Sequence, residues 1–425
     1  MFDIKLIREN IKEVKVRLKS KGVDIDLDKI VATDKDKRGL QIKLEDLRAK
    51  QNVANDEISA IIKSKKDPKE KIASMKAISS EIGELESKVK VLDETLKSFL
   101  IGIPNLPHCS APVGDISKNK EIHRWKEPKK FSFKPKTHIE IAETLDIIDF
   151  KRATKITGSN FILFKGAGAL LERALYNFML DTHTREHGYK EVLPPVLVNR
   201  DSMTGTGQFP KMEDDMYKVE GEDLFLVPTA EVPVTNIYRD EILKGEDLPI
   251  YHAAYTPCFR KEAGSYGKDT KGLIRVHQFD KVELVKFVEP DKSYQELESL
   301  VKNAEKIFEL LDIPYRTIEL ATGDLSFAAA KCYDIEAYSP GVDMWLEVSS
   351  CSNFEDFQAR RASIRYKLKD MKKPALLHTL NGSGVALART VVAILENYQT
   401  EEGDVLIPEV LQPYMHGLKK ISSGD

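Results

Sequence analysis

The chain opens on helical periodicity. Asp3 is placed to cap a short helix that runs to about Lys19. Leu40, Leu44, Leu47, Gln51, Ala54, Ile58 and Ile61 then recur at alternating steps of four and three residues. After Lys65-Lys66-Asp67-Pro68, Met75, Ile78, Ile82, Leu85, Val89, Leu92 and Leu96 alternate three and four. A seam repeating every ~3.5 residues predicts helices packed as a coiled coil. Pro68 cannot continue the first helix, and Asp67-Pro68 favours a turn. The two seams flank it almost symmetrically, which predicts an antiparallel helical hairpin. About 35 residues per arm at ~1.5 Å each makes a rod of roughly 50 Å.

Proline marks where this pattern stops. Residues 1–100 contain one proline, Pro68, and residues 101–135 contain five. A helical unit followed by a linker is the reading. Beyond it, short apolar strands mix with helices, as in an α+β domain. The expected division is a helical arm over 1–105 and a second domain over 106–425.

Composition narrows the classes. The 425 residues are 31% charged and 41% hydrophobic, enough for a sizeable core. The net charge of -3 excludes a uniformly basic nucleic-acid binder but not a local basic patch. Residues 28–100 carry sixteen basic and fourteen acidic side chains. The excess sits near the hairpin turn, where Lys63, Lys65, Lys66, Lys69, Lys71 and Lys76 face only Asp67 and Glu70. A solvated loop on a structural coiled coil explains those lysines; so does a reach toward phosphate. The four cysteines, Cys109, Cys258, Cys332 and Cys351, are far apart with no CxxC pair. They read as free buried thiols, with neither a disulfide framework nor a structural zinc expected. The N-terminus lacks an apolar signal region, and no stretch of eighteen apolar residues could cross a membrane. A cytoplasmic location is expected.

The candidate chemistry lies in the second half. Phe259-Arg260-Lys261-Glu262 precedes a polar, Gly-rich stretch and then Arg275-Val276-His277-Gln278-Phe279-Asp280-Lys281-Val282-Glu283. The flanks, 253–259 and 276–288, read as antiparallel strands joined by a long loop. The loop has neither GxGxxG nor a Walker lysine. It offers instead an arginine at each end, suited to bidentate contact with phosphate, and Phe279, whose face could stack on a base. Farther on, Leu380-Asn381-Gly382-Ser383-Gly384 leads into an apolar helix with Arg389 in its first turns. Glycines permit close approach of a ligand, and an arginine among apolar neighbours must meet an anion. Read singly, each of these residues has an ordinary structural explanation.

Their order carries the resemblance. FRxE…RxxxF followed about 100 residues later by GxGxxxxR resembles motifs 2 and 3 of class II aminoacyl-tRNA synthetases. Residues 188–198, GYKEVLPPVLV, resemble motif 1, a helix-to-strand unit at a dimer interface. Ala388 departs from the class pattern, which often has Glu before the motif 3 arginine. DIKLIREN, IPNLPH, KITGSNFILFKGAGALLERAL, VPTAEVP and EVSSCSNFEDFQARR extend the resemblance to the bacterial-type seryl-tRNA synthetase family. It covers nearly the whole chain. The tail after Gly417 matches nothing and is expected to be a mobile end.

The resemblance implies ATP-dependent activation of L-serine and transfer to tRNA(Ser), and to tRNA(Sec) where the organism has one. It implies a mainly antiparallel sheet flanked by helices, and a homodimer. Arg260, Glu347 and Arg389 would be catalytic. Serine would meet Thr229, Ala230, Glu231, Arg260, Glu283, Asn381 and Ser383. ATP would meet Arg260, Lys261, Glu262, Arg275, Val276, Phe279, Arg389 and the run Glu347, Val348, Ser349 and Ser350. Glu347 and Ser350 would hold Mg²⁺ with ATP. Lys63, Lys65, Lys66 and Lys69 would bind tRNA. A pseudoenzyme would have lost Arg260, Glu283, Glu347 or Arg389, and all four are present. A ligase loading a carrier protein would lack the arm.

Overall fold

The computed structural model describes residues 2–262 and 272–424, apart from the side chain of Val385. Contacts divide the chain into Met1–Pro104 and Asn105–Asp425.

The first unit is three helices, α1 (Ile4–Ser20), α2 (Leu27–Lys63) and α3 (Lys69–Ile101). Asp3 and Asp26 cap the first two, accepting from the N–H groups of Lys5 and Lys29. The 37 residues of α2 span about 55 Å. It pairs with α3 antiparallel: Lys37 meets Asp93, Arg48 meets Glu86, Gln51 meets Ser79 and Glu57 meets Lys71. The predicted seam is what the helices bury, with Leu44, Ile82 and Leu85 at its centre and Leu40, Leu47 and Ile78 beside them. The turn falls at Ser64–Pro68, where Lys65 has a φ of 58° and Pro68 opens α3.

The second unit is built on an eight-stranded sheet. In chain order its strands are β1 (Lys120–Trp125), β2 (Lys190–Glu191), β3 (Ile250–Phe259), β4 (Gln278–Val288), β5 (Tyr315–Glu319), β6 (Lys331–Ser339), β7 (Met344–Asn353) and β8 (His378–Ala386). Across the sheet they run β1-β5-β6-β7-β8-β4-β3-β2. Every pair is antiparallel except β2 with β3. The helices are α4 (His138–Thr144), α5 (Phe150–Ile156), α6 (Gly166–Arg185), α7 (Arg200–Thr206), α8 (Glu231–Thr235), α9 (Ser293–Leu310), α10 (Phe357–Ala362) and α11 (Leu387–Asn397).

The two faces of β4 show how the layers form. Val282 and Leu284 join the large core with Leu171 and Leu175 of α6, Leu300 and Ile307 of α9, and Val391 and Ile394 of α11. Val285 and Phe287 point the other way, into a smaller cluster with Ala230, Val234 of α8 and Ala359 of α10. This is the period-two alternation of a strand covered on both faces. Lys281 and Glu283 share the second face.

Four expectations change. The segment 101–135 is not all linker, because Lys120–Trp125 forms the edge strand β1. The strand is almost wholly exposed, so it lacks the apolar alternation that would reveal it. The tail after Gly417 is not a loose end: Lys420–Ile421 pairs with Val405–Leu406, and Ile421 is fully buried. Of the four thiols, Cys109 is exposed and the other three are buried. The motif 2 strands begin at Ile250 and Gln278 instead of Ala253 and Val276. The Gly-rich stretch expected between them, 263–271, lies outside the described residues.

Candidate active site

The ladder between β7 and β8 is short. It joins Cys351 to Gly382, Ser352 to Asn381 and Asn353 to Leu380, and goes no further. Each strand shifts register against its other neighbour just beyond, between Glu347 and Ser349 on β7 and between Ser383 and Val385 on β8. Such bulges bend a strand and re-aim its side chains. The Ser349 hydroxyl spans the parted strands, donating to the Ser383 carbonyl at 2.6 Å. A cavity of about 420 Å³ lies at this split. Gly382 serves packing at the ladder: a Cβ there would come 2.9 Å from the Cys351 sulfur.

One part of the cavity is cationic. Arg260 follows β3, and its N–H donates to the His277 carbonyl at 2.9 Å. Its Nε donates to the Pro228 carbonyl at 3.2 Å, and the guanidinium lies 5.2 Å from the Phe279 ring centre. Arg389, in the first turn of α11, donates from Nε to the Ile274 carbonyl and from Nη1 to the Glu347 carbonyl, at 3.2 and 2.7 Å. It also pairs with the Glu347 carboxylate at 3.4 Å. Arg275 pairs with Glu262 at 3.4 Å. Val276, Val348 and Ser350 complete this wall.

Glu347 and Ser350 test the expected Mg²⁺ site. Both line the cavity. Ser350 sits opposite Asp334 of β6 and hydrogen-bonds to it. Burial, then the Glu347 charge, pushes the Asp334 carboxyl up to about 8. Among the described residues, no three His, Cys, Asp or Glu side chains are grouped to hold a metal alone. A few oxygen donors beside a cationic wall suit Mg²⁺, which keeps waters and takes substrate phosphates.

The other part holds two buried carboxyls. Glu283 of β4 has no exposed surface. Its Oε1 accepts from Asn381 Nδ2 at 3.0 Å, and its Oε2 accepts from the Thr229 hydroxyl at 3.0 Å and meets Lys281 Nζ at 2.5 Å. Glu231 opens α8, and its Oε1 accepts from Gln358 Nε2 at 2.6 Å. The Phe259 N–H, bonded to the Val227 carbonyl at 2.8 Å, ties the Thr229–Glu231 segment to β3. Burial, then the Glu283 charge, raises the Glu231 carboxyl to about 7; the Gln358 hydrogen bond opposes that rise.

The cavity therefore gathers Thr229, Glu231, Arg260, Glu262, Arg275, Val276, Phe279, Asn381, Ser383, Arg389 and the run 347–350. Ala230 is buried behind it, and Glu283 reaches it through its partners. Lys261 is exposed outside the lining, its N–H bonded to the Asp215 carbonyl. The sequence reading missed Lys281 and Gln358. Lys281 was accessible to it: Phe279, Lys281 and Glu283 occupy alternate positions of one strand and so share a face. Gln358 had no local signal, being 127 residues from Glu231.

Known proteins match along the whole chain. The family model described as seryl-tRNA synthetase N-terminal domain matches residues 1–107, and that of the class II tRNA synthetase core domain (G, H, P, S and T) matches 214–398. The serine--tRNA ligase of Carboxydothermus hydrogenoformans is 56% identical over 98% of both chains, and that of Geobacter sulfurreducens is 54% identical over 99% of this chain and 100% of its own. The crystal structure of seryl-tRNA synthetase from Pyrococcus horikoshii complexed with ATP superposes with a TM-score of 0.94 at 40% identity, covering 100% of both chains. The parted strands, the arginines and the paired carboxyls thus belong to a chain whose relatives share its full length, and this chain is a member of the seryl-tRNA synthetase family.

Proposed function

We propose that the cavity activates L-serine with ATP, and that its two parts divide the substrates. The supporting observation is the pairing of a cationic wall with two buried carboxyls of unequal partnership. Phosphates lie against Arg260 and Arg389. Adenine lies between Phe279 and Val276, with Glu262 accepting from its amino group. The serine carboxylate meets Arg260, its ammonium meets Thr229 and Glu231, and its hydroxyl meets Glu283 and Ser383.

A serine carboxylate oxygen attacks the α-phosphorus, the bond to the bridging oxygen breaks, and pyrophosphate leaves. No enzyme nucleophile is needed; catalysis is positioning and charge neutralisation. Glu347 and Ser350 would hold Mg²⁺, which when bound would add positive charge beside the phosphates. The terminal ribose hydroxyl of the tRNA then attacks the seryl carbonyl, and AMP leaves. A site that hydrogen-bonds the serine hydroxyl rejects alanine, which leaves its buried polar groups unpaired.

The arm binds tRNA(Ser). In support, Lys63, Lys65 and Lys66 are exposed and make no ion pair among the described residues, while Lys69 pairs with Asp67 at 3.6 Å. Lysines at the tip suit backbone and shape recognition of RNA. The protein works as a homodimer in the cytoplasm. Leu193, 84% exposed, and Leu197 in the motif 1 segment support the dimer. Light scattering at twice the chain mass is expected, and a monomer would contradict it. Serine-dependent ATP–pyrophosphate exchange tests the activation step; its absence refutes the reading.

A further inference from the structure

The two buried carboxyls differ in what neutralises them. Glu283 has donors on both oxygens, Asn381 on one and Thr229 and Lys281 on the other, which leaves a lone pair on the Asn381 side. Glu231 has no ion-pair partner among the described residues. Its Oε1 meets Gln358, and Oε2 has no hydrogen-bond partner among them. Gln358, on α10, is fully buried, and its orientation is determined by its neighbours. Nε2 faces the Thr206 carbonyl at 3.2 Å and Glu231 Oε1 at 2.6 Å; Oε1 faces the Thr379 hydroxyl at 2.8 Å. A flipped amide would set its oxygen against a carbonyl and a carboxyl oxygen, so Nε2 donates to both and Thr379 donates to Oε1. Gln358 therefore fixes Glu231 without bringing a charge. The other charged groups acting on Glu231 are Glu283 and Lys281 from β4 and Arg260 beyond β3.

We propose that Gln358 is a positioning residue that keeps Glu231 uncompensated, so that Glu231 gives up a proton to solvent when it receives the substrate's ammonium, while Lys281 neutralises Glu283 in advance and reserves it as a hydrogen-bond acceptor for the hydroxyl. This rests on the serine reading above. The balance is simple: the empty site holds a neutral carboxyl, serine enters with its ammonium intact, and one proton leaves Glu231 for buffer. No covalent bond to substrate changes. The asymmetry orients a substrate whose ammonium and hydroxyl could otherwise exchange places. A carboxyl raised to about 7 is consistent with a neutral resting form below that pH.

The test uses the full-length protein. L-serine is titrated by calorimetry at about pH 6 in two buffers of different ionisation enthalpy, and KM for serine and for ATP is followed in exchange from about pH 5.5 to 8.5. Most of one proton released per serine is expected, with KM for serine rising about tenfold per unit below about 7 and KM for ATP not following it. Gln358→Met should move the serine inflection upward and raise KM for serine at least about tenfold at pH 7, because the ionised form loses its donor. Gln358→Glu should move it further, since two adjacent carboxyls resist joint ionisation. Lys281→Met should cut discrimination against alanine, and Lys281→Arg should restore part of it. Serine binding without proton release, or an unmoved inflection in a folded Gln358→Met variant, overturns the proposal. The wild-type calorimetry remains decisive should that variant fail to fold. Failure of the serine reading looks different: no serine-dependent exchange at any pH.

Discussion

The arm tip and the cavity use charge in opposite ways. At the tip, Lys63, Lys65 and Lys66 stand in solvent without ion-pair partners among the described residues. In the cavity, Arg389 is held by two carbonyls and Glu347, and the fully buried Glu283 by three donors. Exposed charges are screened and act through their sum, whereas each buried charge depends on its own partners. Removing one cavity group should therefore be costly, and removing one tip lysine nearly silent.

Arg260→Ala or Arg389→Ala should lower exchange by about a hundred- to a thousandfold, the usual loss for a preorganised cation or donor at developing charge. A change under about threefold in both would remove the phosphate wall from the mechanism. Glu283→Ala should lower the preference for serine over alanine by at least about a hundredfold, measured as the ratio of exchange kcat/KM. An unchanged ratio would place the hydroxyl elsewhere.

Glu231→Gln separates stability from function. The folded state holds the Glu231 proton up to about 7, whereas an unfolded carboxyl releases it near 4.3 (approximate). The folded chain therefore binds more protons between those values, and this group's contribution to stability falls as pH rises through the window, then levels off. At about pH 8 the glutamine variant should be more stable than wild type by up to about 4 kcal/mol in denaturant unfolding, yet fail to use serine. A loss of stability at that pH would contradict the buried, uncompensated placement.

The arm makes the complementary case. Leu44→Ala, at the centre of the α2–α3 seam, should destabilise the arm by about 2 kcal/mol and leave exchange untouched. Neutralising Lys63, Lys65, Lys66 and Lys69 together should weaken tRNA binding about tenfold or more and flatten its salt dependence, again sparing exchange. Equal tRNA affinity before and after would detach the tip from tRNA. Single substitutions there should be nearly invisible beside it.

The same contrast governs what could be read from the chain. The arm was legible because a two-helix seam repeats one rule at Leu44, Ile58, Ile82 and Leu85, all buried as the spacing requires. The motif 2 strands were legible because covered strands carry dense apolar residues, and β3 and β4 pair without a break from Ile250–Phe287 to Phe259–Gln278. The edge strand β1 was not, since an exposed edge needs no apolar face. The residues that line the cavity stand in ordered motifs, and Lys281 could have been added to them through strand alternation. Gln358 could not. Its role depends on Thr206, Glu231 and Thr379 converging from three separate elements, and that convergence exists only in the folded chain.

The proposed work of this cavity is to select serine by its hydroxyl and activate it with ATP. ATP–pyrophosphate exchange run in parallel with serine, alanine, threonine and glycine tests it most directly. Robust exchange with serine and almost none with alanine or glycine is expected. No exchange with serine, or exchange with alanine at a comparable kcat/KM, would contradict it.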